Sequence, residues 1–407
     1  MSIRRLLTAV AVLLSLDAAG AQAQNAGDLF DDQVLHRIDL YVNSRDWQRL
    51  VENFTTNDYY PADLHWRDVT VRNVGIRSRG TGSRSQTKLG LLVAVDHYTT
   101  GQRFLGMQAL VLKNLTQDPS FIHESTAMKF LRTMGITAPR ESFAVVYVNR
   151  TYFGVYALVE DVNEVSLPRF VGESTGYLFE YRWMFDYHFE YLGSDLTRYA
   201  PLFAPRTRVT ESLQAFYGPI EAMVRTLNDV ADSDFVSAVS PYLDLNLFVR
   251  HVAVQDFVAE NDGILGYAGL NNFYLYRFAG TTLHQLIPWD KDNAFISFTH
   301  AILQGHAENV LMRRAMQVPD LRALYFNTLI ESANLADRID EGTTQGWLER
   351  EVRRQQALIQ ESALNDSRKP FTNDEFSAAS SAMLQFAAQR SPFVRCEVAR
   401  VRGQSCQ

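Results

Sequence analysis

With 407 residues, 46% of them hydrophobic and 12% aromatic, the chain is able to bury a large core, and such a composition excludes a disordered protein. The formal charge is −7, and the Lys and Arg residues are scattered rather than gathered in blocks. Nucleic acid is therefore not an expected partner.

The first recognisable segment is a targeting signal. Arg4-Arg5 precede an apolar run from Leu6 to Leu16, Asp17 ends it, and small residues lead to Ala21-Gln22-Ala23. This is the layout of a secretory signal peptide over residues 1–23, cut after Ala23, which predicts a secreted or periplasmic protein. The run is short for a bilayer, and no later segment offers a stable membrane span.

Beyond it, the pattern predicts a strand at 36–42 and a helix at 47–51 that Asn43-Ser44-Arg45-Asp46 can cap. Strand signals recur at 68–76, 89–96 and 109–115, separated by turns rich in Gly, Ser and Thr. An amphipathic helix runs from Pro119-Ser120 to Met134, where Gly135 stops it. Two strands follow, 142–148 and 152–160. The character then changes to helices at 213–227, 234–239, 243–259, 309–314, 324–336, 344–364 and 374–389. Only a hairpin at 271–290 interrupts them. The expected fold class is α+β: a β-rich lobe over 24–160 and a larger, mainly helical lobe over 161–407, with a cleft between them. This is the bilobal plan of protein kinases. Cys396 and Cys406 sit at the carboxyl end of an exported chain and are expected to form a structural disulfide.

The chemistry concentrates at the ends of strands. Pro288-Trp289 runs into Asp290-Lys291-Asp292, and Asn271-Asn272 opens the partner strand of the hairpin. Asp290, Asp292 and Asn272 together suit a hard divalent cation with phosphate as a further ligand. Upstream, Glu260-Asn261-Asp262-Gly263 offers Asp262 as a base that accepts a hydroxyl proton. The turn Arg79-Gly80-Thr81-Gly82-Ser83-Arg84 could cradle phosphates, because its glycines allow backbone N–H groups close to an anion. An ordinary hairpin turn explains it as well. Lys88 is the candidate phosphate lysine, Glu124 the carboxylate that orients it, and Glu160 a contact to the nucleotide sugar at the end of its strand. A solvated lysine, a helix-start carboxylate and a plain strand end are the bland alternatives. For Asp262 the alternative is a polar turn, and for the Asp-x-Asp pair a calcium loop.

Taken in order, these motifs are familiar. Arg79-Gly80-Thr81-Gly82-Ser83, Leu112-Lys113-Asn114, Asp118-Pro119-Ser120, Met134-Gly135-Ile136 and the run from Val148-Asn149-Arg150 to Glu160 come first. Asn261-Asp262-Gly263, Asn272-Phe273-Tyr274-Leu275-Tyr276 and Pro288-Trp289-Asp290-Lys291-Asp292 complete the set. In this combination the chain resembles the spore-coat protein CotH family of atypical kinases over most of its mature length. The resemblance implies a kinase-like fold, use of ATP with Mg²⁺ or Mn²⁺, and a protein partner that is phosphorylated on Ser or Thr. The chain departs from the family in carrying Gly82 and Arg84 within the turn, and Asn293-Ala294 where a Gly is usual. These departures keep open the alternative of a catalytically silent fold serving as an envelope, coat or adhesion protein.

Overall fold

Alternating apolar residues close the first half of the chain into a seven-stranded barrel in the computed structural model, which describes residues 24–406. After a one-turn helix α1 (Ala26–Leu29), the barrel uses β1 (Leu35–Val42), β2 (Tyr60–Trp66), β3 (Val69–Ser78), β4 (Leu91–Ala94), β5 (Ala109–Lys113), β6 (Glu141–Val148) and β7 (Thr151–Glu160). Helix α2 (Ser44–Glu52) follows β1, and α3 (His123–Thr133) lies between β5 and β6. The order around the barrel is β1-β2-β3-β4-β5-β7-β6, and a parallel β1–β6 pairing closes it. Closure leaves no unpaired edge. Inward residues such as Leu40, Leu64, Trp66, Leu110, Leu112 and Val146 fill the interior.

The remainder carries α4 (Leu167–Val171), α5 (Leu213–Asp229), α6 (Phe235–Val239), α7 (Leu245–Phe257), α8 (Val310–Ala315), α9 (Pro319–Ala336), α10 (Trp347–Leu364) and α11 (Asn373–Val401). It also contains a four-stranded antiparallel sheet in the order β11-β10-β8-β9. Its strands are β8 (Tyr177–Tyr181), β9 (Phe203–Pro205), β10 (Phe273–Arg277) and β11 (His284–Pro288). The class is therefore α+β, as expected. The expectation that one hairpin supplies every strand of this half is corrected, because β8 and β9 extend that hairpin into a sheet. They are short and lie in an aromatic stretch without clean alternation. In the first half β2 was also unforeseen. Pro61, Asp63 and His65 disguise the period-two burial of Ala62, Leu64 and Trp66.

One large core runs from the outer face of the barrel into the helices. It joins Val111, Phe143 and Val159 of the strands to Phe130 of α3 and to Phe257, Tyr274 and Phe386 beyond residue 160. Helix α11 continues through Pro392 past the expected stop near residue 389, and Cys396 and Cys406 form a disulfide across its end. The signal-peptide expectation falls on residues 1–23, outside the described residues. Among those described, no helix is long and apolar enough to cross a membrane.

The structure reassigns Lys88. Its side chain is fully buried, and its Nζ donates to Asp366 Oδ2 at 2.7 Å, in the turn after α10. That carboxylate also accepts from Val155 N at 3.1 Å and Arg368 N at 3.0 Å. Gly154 has φ +107°, and a Cβ there would collide with the carboxylate. Burial pulls the Lys88 ammonium down to about 8, although Asp366 opposes the shift. Lys88 therefore staples the barrel to the helical half rather than facing the glycine turn. A buried charge stripped of its partner is strongly penalised. Replacing Asp366 with Ala should cost about 3–5 kcal/mol of unfolding free energy, read by denaturant titration. A cost below ~1 kcal/mol would mean that the pair is solvated.

A candidate active site between the glycine turn and the acidic hairpin

The glycine turn joins β3 to β4 and is held from both sides. Gly80 has φ +109°, and a Cβ there would lie 2.5 Å from Ser83 Oγ, so this position needs glycine. Asn114 Nδ2 donates to the carbonyls of Ser83 and Lys88, each at 2.8 Å, and Thr116 Oγ1 reaches Ser83 O at 3.3 Å. Arg84 braces the other side. Its Nε donates to Gly80 O at 2.6 Å, and its Nη atoms reach Phe54 O at 2.9 Å and Asn57 Oδ1 at 2.5 Å. Gly82 has open space around it, with no atom nearer than 3.8 Å to an added Cβ.

Beneath the turn, β5 ends in Lys113. Alternation sends Leu110 and Leu112 into the barrel, and Val111 and Lys113 to the opposite face, toward α3. Lys113 Nζ donates to Glu124 Oε1 at 2.5 Å and to Asp290 Oδ1 at 2.6 Å. Glu124 sits in the first turn of α3, whose start Asp118 fixes by accepting from Ser120 N and His123 N at 2.7 Å each. Asp290 lies just past β11 with φ +51°, an uncommon conformation for a residue with a Cβ. The neighbouring Trp289 ring packs under two cations, 4.9 Å from the Arg79 guanidinium and 5.5 Å from Lys113 Nζ.

The second acidic loop meets the hairpin through backbone bonds. Trp289 N donates to Asn272 O at 3.1 Å and Asn261 N to Asn293 O at 3.2 Å. Asp262 accepts from Asn271 Nδ2 and Asn272 Nδ2, each at 3.1 Å. Buried Lys291 donates to Asn272 O at 3.1 Å and lies 4.0 Å from Glu260, whose other oxygen accepts from Asp262 N at 2.8 Å. Helix α3 touches the same loop, with His123 Nδ1 3.0 Å from Asp292 O.

Charge is crowded here. Burial works against the Asp290 carboxylate, but Lys113 and Arg79 outweigh it and hold its pKa below the usual value. Burial raises Glu124, against the pull of Lys113. Asp292 is raised well above the carboxylate range by burial and by the adjacent Asp290. Burial lifts Glu260 to about 7 and also raises Asp262. Lys113 goes the other way: burial would lower it, but Asp290 and Glu124 raise it.

Of the residues expected from sequence, Arg79, Ser83, Glu124, Asp290 and Asp292 line one cleft, together with Lys113 and Asn114. Gly80 and Gly82 belong to the turn that contributes Arg79 and Ser83 but do not line the cleft themselves, and Asp262 and Asn272 are hydrogen-bonded to each other beside it. Lys88 is absent from the cleft, and Lys113 stands where a phosphate lysine was sought. Its signal was present in Leu112-Lys113-Asn114, where a lysine and an amide end an apolar strand. Glu160 is also corrected. Arg140 at 2.8 Å and Arg169 at 3.0 Å clamp its buried carboxylate, so it has no side-chain oxygen to offer a sugar there.

No group of three or more His, Cys, Asp or Glu residues gathers as a metal site among the described residues. A cation here would rest on fewer protein ligands. Asn272 Nδ2 is committed to Asp262, and no hydrogen bond reaches Asn272 Oδ1 or Asp290 Oδ2 among the described residues. Two carboxylates and an amide oxygen fit a hard divalent ion that takes its other ligands from phosphate and water.

Comparison with known proteins shows the family to which the chain belongs. The family model described as CotH kinase protein matches residues 76–394. The inner spore coat protein H of Bacillus subtilis (strain 168) is 24% identical over 369 residues, covering 88% of this chain and 95% of that protein. Among solved structures, the Helicobacter pylori proinflammatory kinase CtkA aligns with 77% of this chain and 95% of its own, at 10% identity and a TM-score of 0.29. A likeness that loose fixes no feature of this fold.

Lys113→Met should expose how much the cleft depends on one cation. Glu124 and Asp290 would lose their shared counter-charge, so that Glu124, already raised, would rise further and Asp290 would move from below its unfolded pKa to above it. Stability would then fall as pH rises through that window. Thermal melts should show the variant about 3 kcal/mol less stable at neutral pH and recovering on acidification. Parallel melting profiles for the two proteins would contradict this geometry.

Proposed function

The chain belongs to the CotH kinase protein family, and we propose that it is an exported atypical kinase that transfers the γ-phosphate of ATP to Ser or Thr hydroxyls of a protein. The observation that carries this reading is Lys113 shared between Glu124 and Asp290 beneath a glycine turn. A strand lysine paired to a helix carboxylate, with a metal-binding aspartate at the end of a later hairpin, is the working set of a protein kinase.

In this reading Arg79, Lys113 and the backbone of residues 80–83 hold the phosphates. Asn272, Asp290 and Asp292 would hold Mg²⁺ or Mn²⁺, and the bound ion would supply charge neutralisation at the phosphates. Lys113 has to shift one N–H from Asp290 toward phosphate, and Glu124 keeps the ammonium in place as it does so. Asp262 accepts the proton of the acceptor hydroxyl. Burial raises its basicity, and Asn271 and Asn272 hold it in orientation. The glycines and the Asn114 clamp keep the turn open to an anion without side-chain obstruction.

A second reading has its own support. Asp290 Oδ1 is already taken by Lys113, and Arg84 ties the turn to the barrel. Both suit a silent fold with a coat or envelope role, the setting named for the Bacillus relative.

Thermal shift with ATP and Mg²⁺, followed by transfer from labelled ATP to a generic protein, separates these readings. A binder gains about RT ln(1 + [L]/Kd), while a silent fold gains nothing. Asp290→Asn should abolish both the shift and the transfer. Asp262→Asn should keep the shift while turnover drops ~10²–10⁴-fold. If the two variants behave identically, the division of labour between the carboxylates is wrong.

A further inference from the structure

Behind the Lys113–Glu124 pair lies a third carboxyl that the chemistry above does not use. Glu141 opens β6 and is 2% exposed, and neither of its carboxylate oxygens has a hydrogen-bond partner. The barrel register shows how it comes to be there. Val159 of β7 pairs with Val111 of β5 on one side and with Glu141 of β6 on the other. Ala157 likewise joins Lys113 to Phe143. These two rows share the face toward α3, while Ala144, Val146 and Val148 of β6 point into the barrel. Glu141 therefore enters the same buried layer as Lys113. The charged groups facing it are Glu124 and Arg132 of α3, Lys113 of β5 and Asp290 past β11. Arg132 spends Nη1 on the carbonyl of Pro139. Glu124 Oε2, like both Glu141 oxygens, is buried and lacks a donor.

No donor among the described residues reaches these three buried carboxyl oxygens: Lys113 Nζ is directed at Glu124 Oε1 and Asp290 Oδ1, and Arg132 Nη1 at the Pro139 carbonyl. A single proton resolves this. It turns one carboxyl into a donor for the other and removes one of the crowded negative charges. Glu124 is the carboxyl bonded directly to Lys113, so it keeps its charge, and the proton belongs on the more remote acid. We propose that Glu141 is held as a neutral acid that donates its proton to Glu124 Oε2, making it a positioning residue that locks Glu124 against Lys113. Its supposed benefit to phosphate binding rests on the kinase reading, whereas the shared proton does not. Burial and the nearby Glu124 carboxylate push Glu141 in the same direction, well above the ordinary value of 4.5.

Infrared difference spectra of the wild-type chain and Glu141→Gln at neutral pH provide the direct test. The expected result is a protonated-carboxyl band in the wild type that disappears in the variant. Carboxylate bands alone at that position would overturn the proposal. Melting curves against pH give a second readout. A neutral Glu141 contributes stability below the unfolded value near 4.5 and loses it as pH rises toward the folded value. Gln cannot ionise, so Glu141→Gln should melt above wild type at neutral pH and converge with it on acidification. A variant less stable than wild type by the same margin at every pH would contradict the shared proton. Stabilisation by ATP with Mg²⁺ should survive Glu141→Gln and weaken several-fold in Glu141→Leu, which offers no donor. If wild type shows the band but no response to nucleotide, the kinase reading fails and the shared proton stands.

Discussion

One ammonium group organises this protein. Lys113 Nζ lies within 2.6 Å of carboxylates from α3 and from the hairpin end, so β5, α3 and a hairpin 177 positions further along the chain meet at a single cation. Any rotation of α3 or slip in the β10–β11 hairpin would leave a carboxylate buried without its charge partner, which is among the costlier errors a core can contain. The barrel register, the Asp118 turn that starts α3 and the left-handed conformation at Asp290 all serve to place those groups.

Lys88 and Lys113 show how environment divides labour between like residues. Lys88 meets one carboxylate in a fully dry setting, and burial wins, lowering it to about 8. Lys113 meets two in contact and further acids behind them, and attraction wins, raising it. A lysine with a single committed partner works as a staple. One held between two carboxylates would, in the proposed reading, exchange one of them for a phosphate oxygen. Burial first, with neighbouring acids adding to it, raises Asp292, Glu260 and Glu141, and in the proposed reading a divalent ion and a retained proton would relieve that crowding.

Much of this was legible in the sequence because it rests on local periodicity. Six of the barrel strands, α3 and the acidic hairpin announce themselves by alternation, helical spacing and turn residues. Asp290, Asp292 and Asn272 stood out because polar residues at the ends of apolar strands need partners, and Asp262 because it lies in a carboxylate-rich turn beside Gly263. What the sequence hid is long-range. Whether Lys88 or Lys113 faces the turn depends on which side of the barrel each strand presents, and Asp366, the partner that takes Lys88 away, lies 278 positions along the chain. Glu160 looked free at a strand end until Arg140 and Arg169 closed on it from separate segments. Strands β8 and β9 escaped because pairing, of β8 with β10 and of β9 with β8, rather than their own pattern, makes them strands.

The central claim is that Lys113 and Asp290 form one nucleotide site, and a crystal structure with Mg²⁺ and a non-hydrolysable ATP analogue addresses it most directly. The account predicts phosphate oxygens on Lys113 Nζ, the cation on Asp290, and the Lys113–Glu124 and Lys88–Asp366 pairs both intact. Phosphates bound at Lys88, or a cleft that excludes the nucleotide at saturating concentration with Lys113 still on Asp290, would contradict it.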